Sequence, residues 1–179
     1  MALIERLVTS ATAIAVMAGA ALAQQDEAGG VKIGPAFPLM DACYRMAIDG
    51  ATGAEGLEPC DRSLANEPLT DRRRAVVHAN RGVVQFNSGD YGAAAEDFTA
   101  ALDLGINVRA RILVNRGLCF EALRYDSLAR ADYEAALSFN PDNAVALRRL
   151  EELKKPTFER SGVPRRITAD AGFVESDGS

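Results

Sequence analysis

The sequence predicts an all-α protein, a solenoid of stacked antiparallel helix pairs with about seven helices. Three observations predict it. Ala and Leu are plentiful, Trp is absent, and only four Tyr and seven Phe occur. That mixture favours helices, because Ala and Leu head the helix scale. Between residues 37 and 155 the apolar residues recur at spacings of three and four, not two. Asn80-Arg81-Gly82 returns 35 residues later as Asn115-Arg116-Gly117, a period that belongs to repeat architectures.

The elements follow in chain order. Arg6 precedes an apolar run from Leu7 to Ala18, and Ala21-Leu22-Ala23 makes an A-x-A site before a polar stretch. This is the plan of a secretory signal peptide cleaved after Ala23. The charged end is poor, because Glu5 offsets Arg6. An uncleaved anchor is the alternative, but an apolar core of about 12 residues is short for a span of roughly 20. No Cys follows Ala23 directly, which points away from a lipoprotein. Residues 24–36 are rich in Gly, Gln and Asp, and Pro35 and Pro38 close them. They read as a linker.

Seven helices are expected over 38–49, 54–66, 70–88, 91–104, 108–122, 126–139 and 143–155. The offsets that justify them are shared. Counting 12, 16 and 19 from Gly82 reaches Ala94, Phe98 and Ala101, and from Gly117 the same offsets reach Ala129, Tyr133 and Ala136. From Tyr44 they reach Gly56, Cys60 and Ser63, a degenerate third copy. Each unit is thus two antiparallel helices. The glycine lies midway along the first helix, where a second backbone must come close. The aromatic and the later alanine share one face of the second helix, being three apart. Asp90-Tyr91-Gly92 turns one pair, and Asn140-Pro141-Asp142-Asn143 ends one helix and starts the next. Leu147 and Leu150 continue the apolar pattern before Glu151, Glu152, Lys154 and Lys155 make a polar cap, as repeat arrays need to stay soluble. Residues 156–179 carry Pro156, Pro164, Gly and Ser without an apolar period, and read as a flexible tail.

These offsets resemble the tetratricopeptide repeat family, whose unit is a helical pair of about 34 residues with a small residue, a later alanine, an aromatic and a proline. The resemblance covers residues 37–155: a degenerate unit at 37–70, units at 75–108 and 110–143, and a capping helix at 144–155. His78 and Leu113 stand where the family has a large aromatic, and Ile106 stands where a proline would be. The resemblance implies a right-handed solenoid whose first helices line a groove that receives a peptide. In that register Cys43 and Cys60 belong to the two helices of one unit, facing their seam. A Cys43–Cys60 disulfide is expected, provided the chain meets an oxidising compartment. Two buried thiols acting as small hydrophobes are the alternative. Cys119 is left over and expected to be buried and inert.

The same resemblance implies partner-binding residues. Asn80 and Asn115 match an asparagine of the family's groove, and an amide can hold a partner's backbone by both donating and accepting. Arg111 and Arg149 stand at cation places, with Arg45 a weaker candidate; arginine offers a fork to a carboxylate. Asp41, Ala79, Val83 and Val145 occupy the other cation places, so the family's full carboxylate grip is not matched. The plainer reading of these arginines is a solvated face or pairing with nearby Glu, and it extends to the Arg72-Arg73-Arg74 and Arg165-Arg166 runs.

Catalytic signals are missing. The single His, His78, has no motif partner and reads as a helix-pair residue. No phosphate loop, H-E-x-x-H or G-x-S-x-G occurs, and no cofactor or metal is implied. The net charge of −5 argues against nucleic acid. The expected function is a non-catalytic adaptor in the periplasm or outside the cell, holding another protein or peptide, without a membrane span after signal cleavage. The alternatives are a structural module of a larger envelope complex or homo-oligomer, and a thiol-dependent redox protein using Cys119. The tail could also fold back into the chain's own groove through Arg165 and Arg166.

Overall fold

The computed structural model describes residues 37–167. The expected signal peptide and linker lie outside the described residues, as does the last part of the tail. Among the described residues seven α-helices follow one another: α1 (Pro38–Ile48), α2 (Gly53–Asn66), α3 (Asp71–Asn87), α4 (Tyr91–Asp103), α5 (Arg109–Ala122), α6 (Asp126–Phe139) and α7 (Ala144–Lys154). No strand occurs among the described residues. Each helix packs on the next, so the fold is an all-α stack of tetratricopeptide-like pairs: α1–α2, α3–α4, α5–α6 and a final α7.

The helix ends follow local chemistry. Thr70, Asp90 and Asn143 are N-caps whose side chains accept the backbone N–H of Arg73, Ala93 and Ala146, at 3.4, 3.2 and 2.9 Å. Such caps satisfy donors that the first turn leaves open. The start of α1 has no cap of its own. Glu67, just after α2, supplies one by accepting from the N–H groups of Leu39 and Met40 at 2.9 and 3.0 Å. Its negative charge suits a helix N-terminus. Gly89 and Gly105, after α3 and α4, adopt φ of +86° and +79°, a left-handed turn that glycine enters at little cost. Ile106, in place of a proline, is buried and closes the core beneath that turn.

Each pair is packed through its glycine. A Cβ on Gly82 would lie 2.9 Å from Phe98 Cε1, and one on Gly117 would lie 2.6 Å from Tyr133 Cε1. Both rings are fully buried, a burial worth about 1.5–3 kcal/mol for a large apolar side chain. The first pair solves the same seam differently. Tyr44 stands in the glycine's place and Cys60 in the aromatic's. With no ring to admit, Cys43 reaches Cys60, and the two are joined in a disulfide with Cα atoms 4.6 Å apart. This bridge closes a 17-residue separation, worth about 3 kcal/mol through loop entropy. It sits in a small satellite core with Met40 and Val77, beside the main core of the later pairs.

The beginning of the tail differs from the flexible segment expected. After a 3-10 turn at Thr157–Glu159, residues 160–167 lie along the array. Arg160 donates to Asp126 and to the Lys155 carbonyl. Val163 packs against the main core, and Ile167 is buried in it. An apolar period reports helices and strands that bury one face. It is blind to an extended segment whose backbone is held by side chains from elsewhere.

Candidate functional site

The candidate site is the face formed by the first helix of each pair: α1, α3, α5 and the cap α7. Its framework is a repeated ion pair. Arg81 on α3 grips Asp97 on α4 with two bonds, Nε to Oδ2 at 2.7 Å and Nη2 to Oδ1 at 2.8 Å. Arg116 on α5 grips Asp132 on α6 likewise, at 2.8 and 2.7 Å. Such forked pairs add geometric specificity. Each arginine also reaches the preceding second helix. Arg81 donates to Asp61 at 2.7 Å, and Arg116 to Thr99 at 3.1 Å. One guanidinium therefore fixes both its own pair and the joint to the pair before it. Burial alone would raise the Asp97 carboxyl. The hydrogen bonds from Arg81 and His78 outweigh it and hold that carboxyl below the usual range. His78 Nδ1 lies 2.8 Å from Asp97 Oδ1, so His78 belongs to this helix-pair cluster.

The five expected binding residues separate in the structure. Asn80 and Asn115 are fully buried. Both amide atoms of Asn115 are buried without a hydrogen-bond partner. Arg45 is exposed on α1. Arg111 is half-buried at the start of α5, where a cleft of about 540 Å³ is lined by Arg109, Arg111, Phe139, Asn140, Asn143 and Val145. Arg149 is not open to a partner. It is 3% exposed and holds a carboxylate of this chain, donating from Nε to Glu121 Oε2 at 3.0 Å and from Nη2 to Glu121 Oε1. The resemblance placed a carboxylate-gripping cation here, and the carboxylate it grips comes from α5.

Glu121 and Arg149 are joined by Tyr133, whose hydroxyl donates to Glu121 Oε2 at 3.0 Å. Burial, together with the neighbouring Glu121 charge, pushes the Tyr133 phenol far up, so it stays a donor. Arg149 then spends its remaining donors on the tail. Nη1 meets Ser161 Oγ at 3.2 Å and the Gly162 carbonyl at 3.4 Å, and Nη2 meets the Ser161 carbonyl at 3.2 Å. Farther along, Asn87 at the end of α3 accepts the N–H of Ile167 at 3.0 Å. Arg166 lies beside Gly50, just after α1. The tail thus reaches from α7 to the end of α3 and the turn after α1, touching first-helix residues of separate units.

Two arginines of the 72–74 run have defined roles. Arg73 stacks over the Phe37 ring at 4.4 Å, and Arg74 donates to the Leu64 carbonyl at 3.4 Å. Cys119 is buried on α5, and burial pushes its thiol far above the ordinary cysteine range. A thiol that stays protonated is a poor nucleophile. Among the described residues, no group of three or more His, Cys, Asp or Glu could hold a metal ion, and no helix is long and apolar enough to cross a membrane.

Comparison with known proteins agrees with this geometry. Residues 110–143, the α5–α6 pair, match the tetratricopeptide repeat family model. The chain is 32% identical over 77 residues to human tetratricopeptide repeat protein 6, covering 43% of this chain and 14% of that protein. It is 28% identical over 112 residues to a DnaJ homolog subfamily C member 7 homolog from Dictyostelium discoideum, covering 62% of this chain and 19% of that one. The chain therefore spans less than a fifth of either relative's length. No solved structure matches it. The repeat at 110–143, the two relatives and the shared packing of successive pairs together support the tetratricopeptide repeat family for this chain.

Proposed function

We propose that this protein is an exported, non-catalytic scaffold of the cell envelope that holds an extended segment of another protein on its first-helix face. One observation carries the reading. That face already holds a stretch of polypeptide without regular secondary structure, residues 161–167, and holds it largely by main-chain atoms: two carbonyls on Arg149 and one N–H on Asn87. A surface that grips backbone accepts many sequences, and side-chain pockets add selectivity. The repeat match supports protein binding, since such arrays present extended surfaces. The Cys43–Cys60 disulfide supports an oxidising compartment, and the A-x-A segment at 21–23 supports export. The buried Cys119 thiol speaks against redox chemistry.

The test uses a photo-crosslinking side chain at exposed Arg45 on α1, with exposed Leu128 on α6 as the control position. A specific envelope protein captured at position 45 and not at 128 supports the reading. Capture at neither, with the helical circular dichroism intact, refutes it. Export is tested separately by fusing residues 1–30 to a reporter active only after secretion; an inactive reporter sinks that part.

A second reading, a module of a larger complex or a homo-oligomer, draws on exposed Tyr125, Leu128, Phe139 and Leu147. Tyr125 also edges a largely apolar groove of about 630 Å³ with Ala95, Phe120 and Leu123. Sedimentation of the purified chain separates a monomer from an assembly.

A further inference from the structure

The tail segment Ser161-Gly162-Val163-Pro164-Arg165-Arg166-Ile167 has the marks of a bound peptide. It has no regular secondary structure, only a bend at 165–166. Its two apolar anchors, Val163 and Ile167, turn inward, while Pro164, Arg165 and Arg166 stay exposed. Its ends are clamped. Ser161 donates its N–H to Glu152 Oε2 at 2.8 Å and is held by Arg149, and the N–H of Ile167 reaches Asn87 Oδ1 at 3.0 Å. The clamps belong to α7 and α3, first helices of separate repeats. Yet the fit is incomplete. Asn87 Nδ2 is buried and has no hydrogen-bond acceptor, so the tail uses half of an amide able to take both a donor and an acceptor from one peptide unit. A chain offering a carbonyl at that point would be held better than the tail is.

We infer that residues 161–167 are a resident occupant of the binding face, and that the protein's partner is an extended segment with aliphatic residues four apart, which displaces the tail. The inference rests on the reading of the first-helix face as the binding face. It adds competition and a ligand pattern to that reading. The tail is tethered through only a few residues beyond α7, so it faces its site at an effective concentration of about 1 mM. For an intrinsic dissociation constant of about 0.1 mM, the closed tail weakens an outside ligand about elevenfold, because the site is open only about one part in eleven.

The test uses the full chain and a fluorescein-labelled peptide with the sequence of residues 158–170. Anisotropy is measured against the wild type and the Ile167→Asp variant, which places a charge on the tail's buried anchor. The variant is expected to bind the peptide about tenfold more tightly, and a peptide carrying the same Ile→Asp change should bind neither. Equal affinity for the two chains, or no binding by a variant with intact helical circular dichroism, overturns the inference. A second measurement needs no variant. Amide exchange at Ile167 of the isotope-labelled wild type is followed with and without millimolar unlabelled peptide. Faster exchange with peptide means displacement; unchanged exchange means the tail is a fixed part of the core and overturns the inference. Uptake of the peptide without any envelope partner would sink the scaffold reading and leave this one standing.

Discussion

Replacing each of three helical glycines by alanine should give effects of opposite sign. Alanine is favoured over glycine in a helix interior by about 1 kcal/mol, so space decides the outcome. At Gly92 in α4 a Cβ meets only Asp90 Oδ1, at 4.0 Å. Gly92→Ala should therefore stabilise by up to about 1 kcal/mol, less if the first turn frays. At Gly82 a Cβ would sit 2.9 Å from the Phe98 ring, and at Gly117 it would sit 2.6 Å from the Tyr133 ring. Overpacking a filled core costs about 1–3 kcal/mol. Phe98 can give slightly, since no polar atom ties its ring. Tyr133 cannot slide without breaking its bond to Glu121, so relief at Gly117 also disturbs a hydrogen bond worth about 1 kcal/mol. The net expectation is near zero to about 1 kcal/mol lost for Gly82→Ala, and about 1–3 kcal/mol lost for Gly117→Ala. Urea titrations followed by circular dichroism read these as midpoint shifts, about 0.5–1.5 M downward for Gly117→Ala if the slope is near 2 kcal/mol per M. A Gly117→Ala protein as stable as the wild type, or a Gly92→Ala protein less stable than it, would refute the close-approach account.

Three further outcomes follow from the same geometry. Replacing Cys43 and Cys60 together by Ala should cost about 3 kcal/mol, and hydrogen exchange should place the loss in α1 and α2; a uniform loss across all helices would count against a local staple. Glu121→Ala leaves the Arg149 guanidinium buried without its carboxylate and should cost about 3–5 kcal/mol, whereas the Glu121→Leu, Arg149→Met double variant should be markedly milder; additive losses in the double variant would refute a coupled pair. The Asp97 carboxyl titrates lower in the folded chain than in the unfolded one, so the folded state binds fewer protons in acid. Its contribution is complete above the unfolded value of about 3.9 and fades as pH falls through the folded value. Between pH 6 and pH 3, Asp97→Asn should lose less stability than the wild type does, and an identical loss would remove Asp97 from the acid response.

Much of this fold could be read from the offsets alone. Gly82 and Gly117 announce a tight seam, and the aromatic 16 residues later names what fills it. The disulfide followed from noticing that Cys60 stands in the aromatic's place. The arginine–aspartate pairs were not anticipated, although Asp97 and Asp132 each follow their arginine by 16 residues. Helical periodicity shows which face a residue is on, and not which side chain it meets across the pair. Arg149 was harder. Its carboxylate, Glu121, lies 28 residues upstream in another unit, and no spacing within a repeat links them. Asn80 and Asn115 were placed on an open groove by resemblance, and both are fully buried. The tail was hidden for a different reason: its hold on the array comes from Arg149 and Asn87 meeting backbone atoms that every residue carries.

The arginine that reaches backward gives the array a reading direction. Arg81 needs an acceptor on the helix before its own pair, and so does Arg116. A pair cut out and moved to the front of such an array would arrive with an unmet donor, and one inserted in the middle would have to bring a suitable acceptor for its successor. At the position these arginines hold, the first pair has Cys43, a residue that turns inward and asks nothing of any predecessor. Order is therefore written into the chemistry of the joints, and the units are not interchangeable parts even though they share a shape.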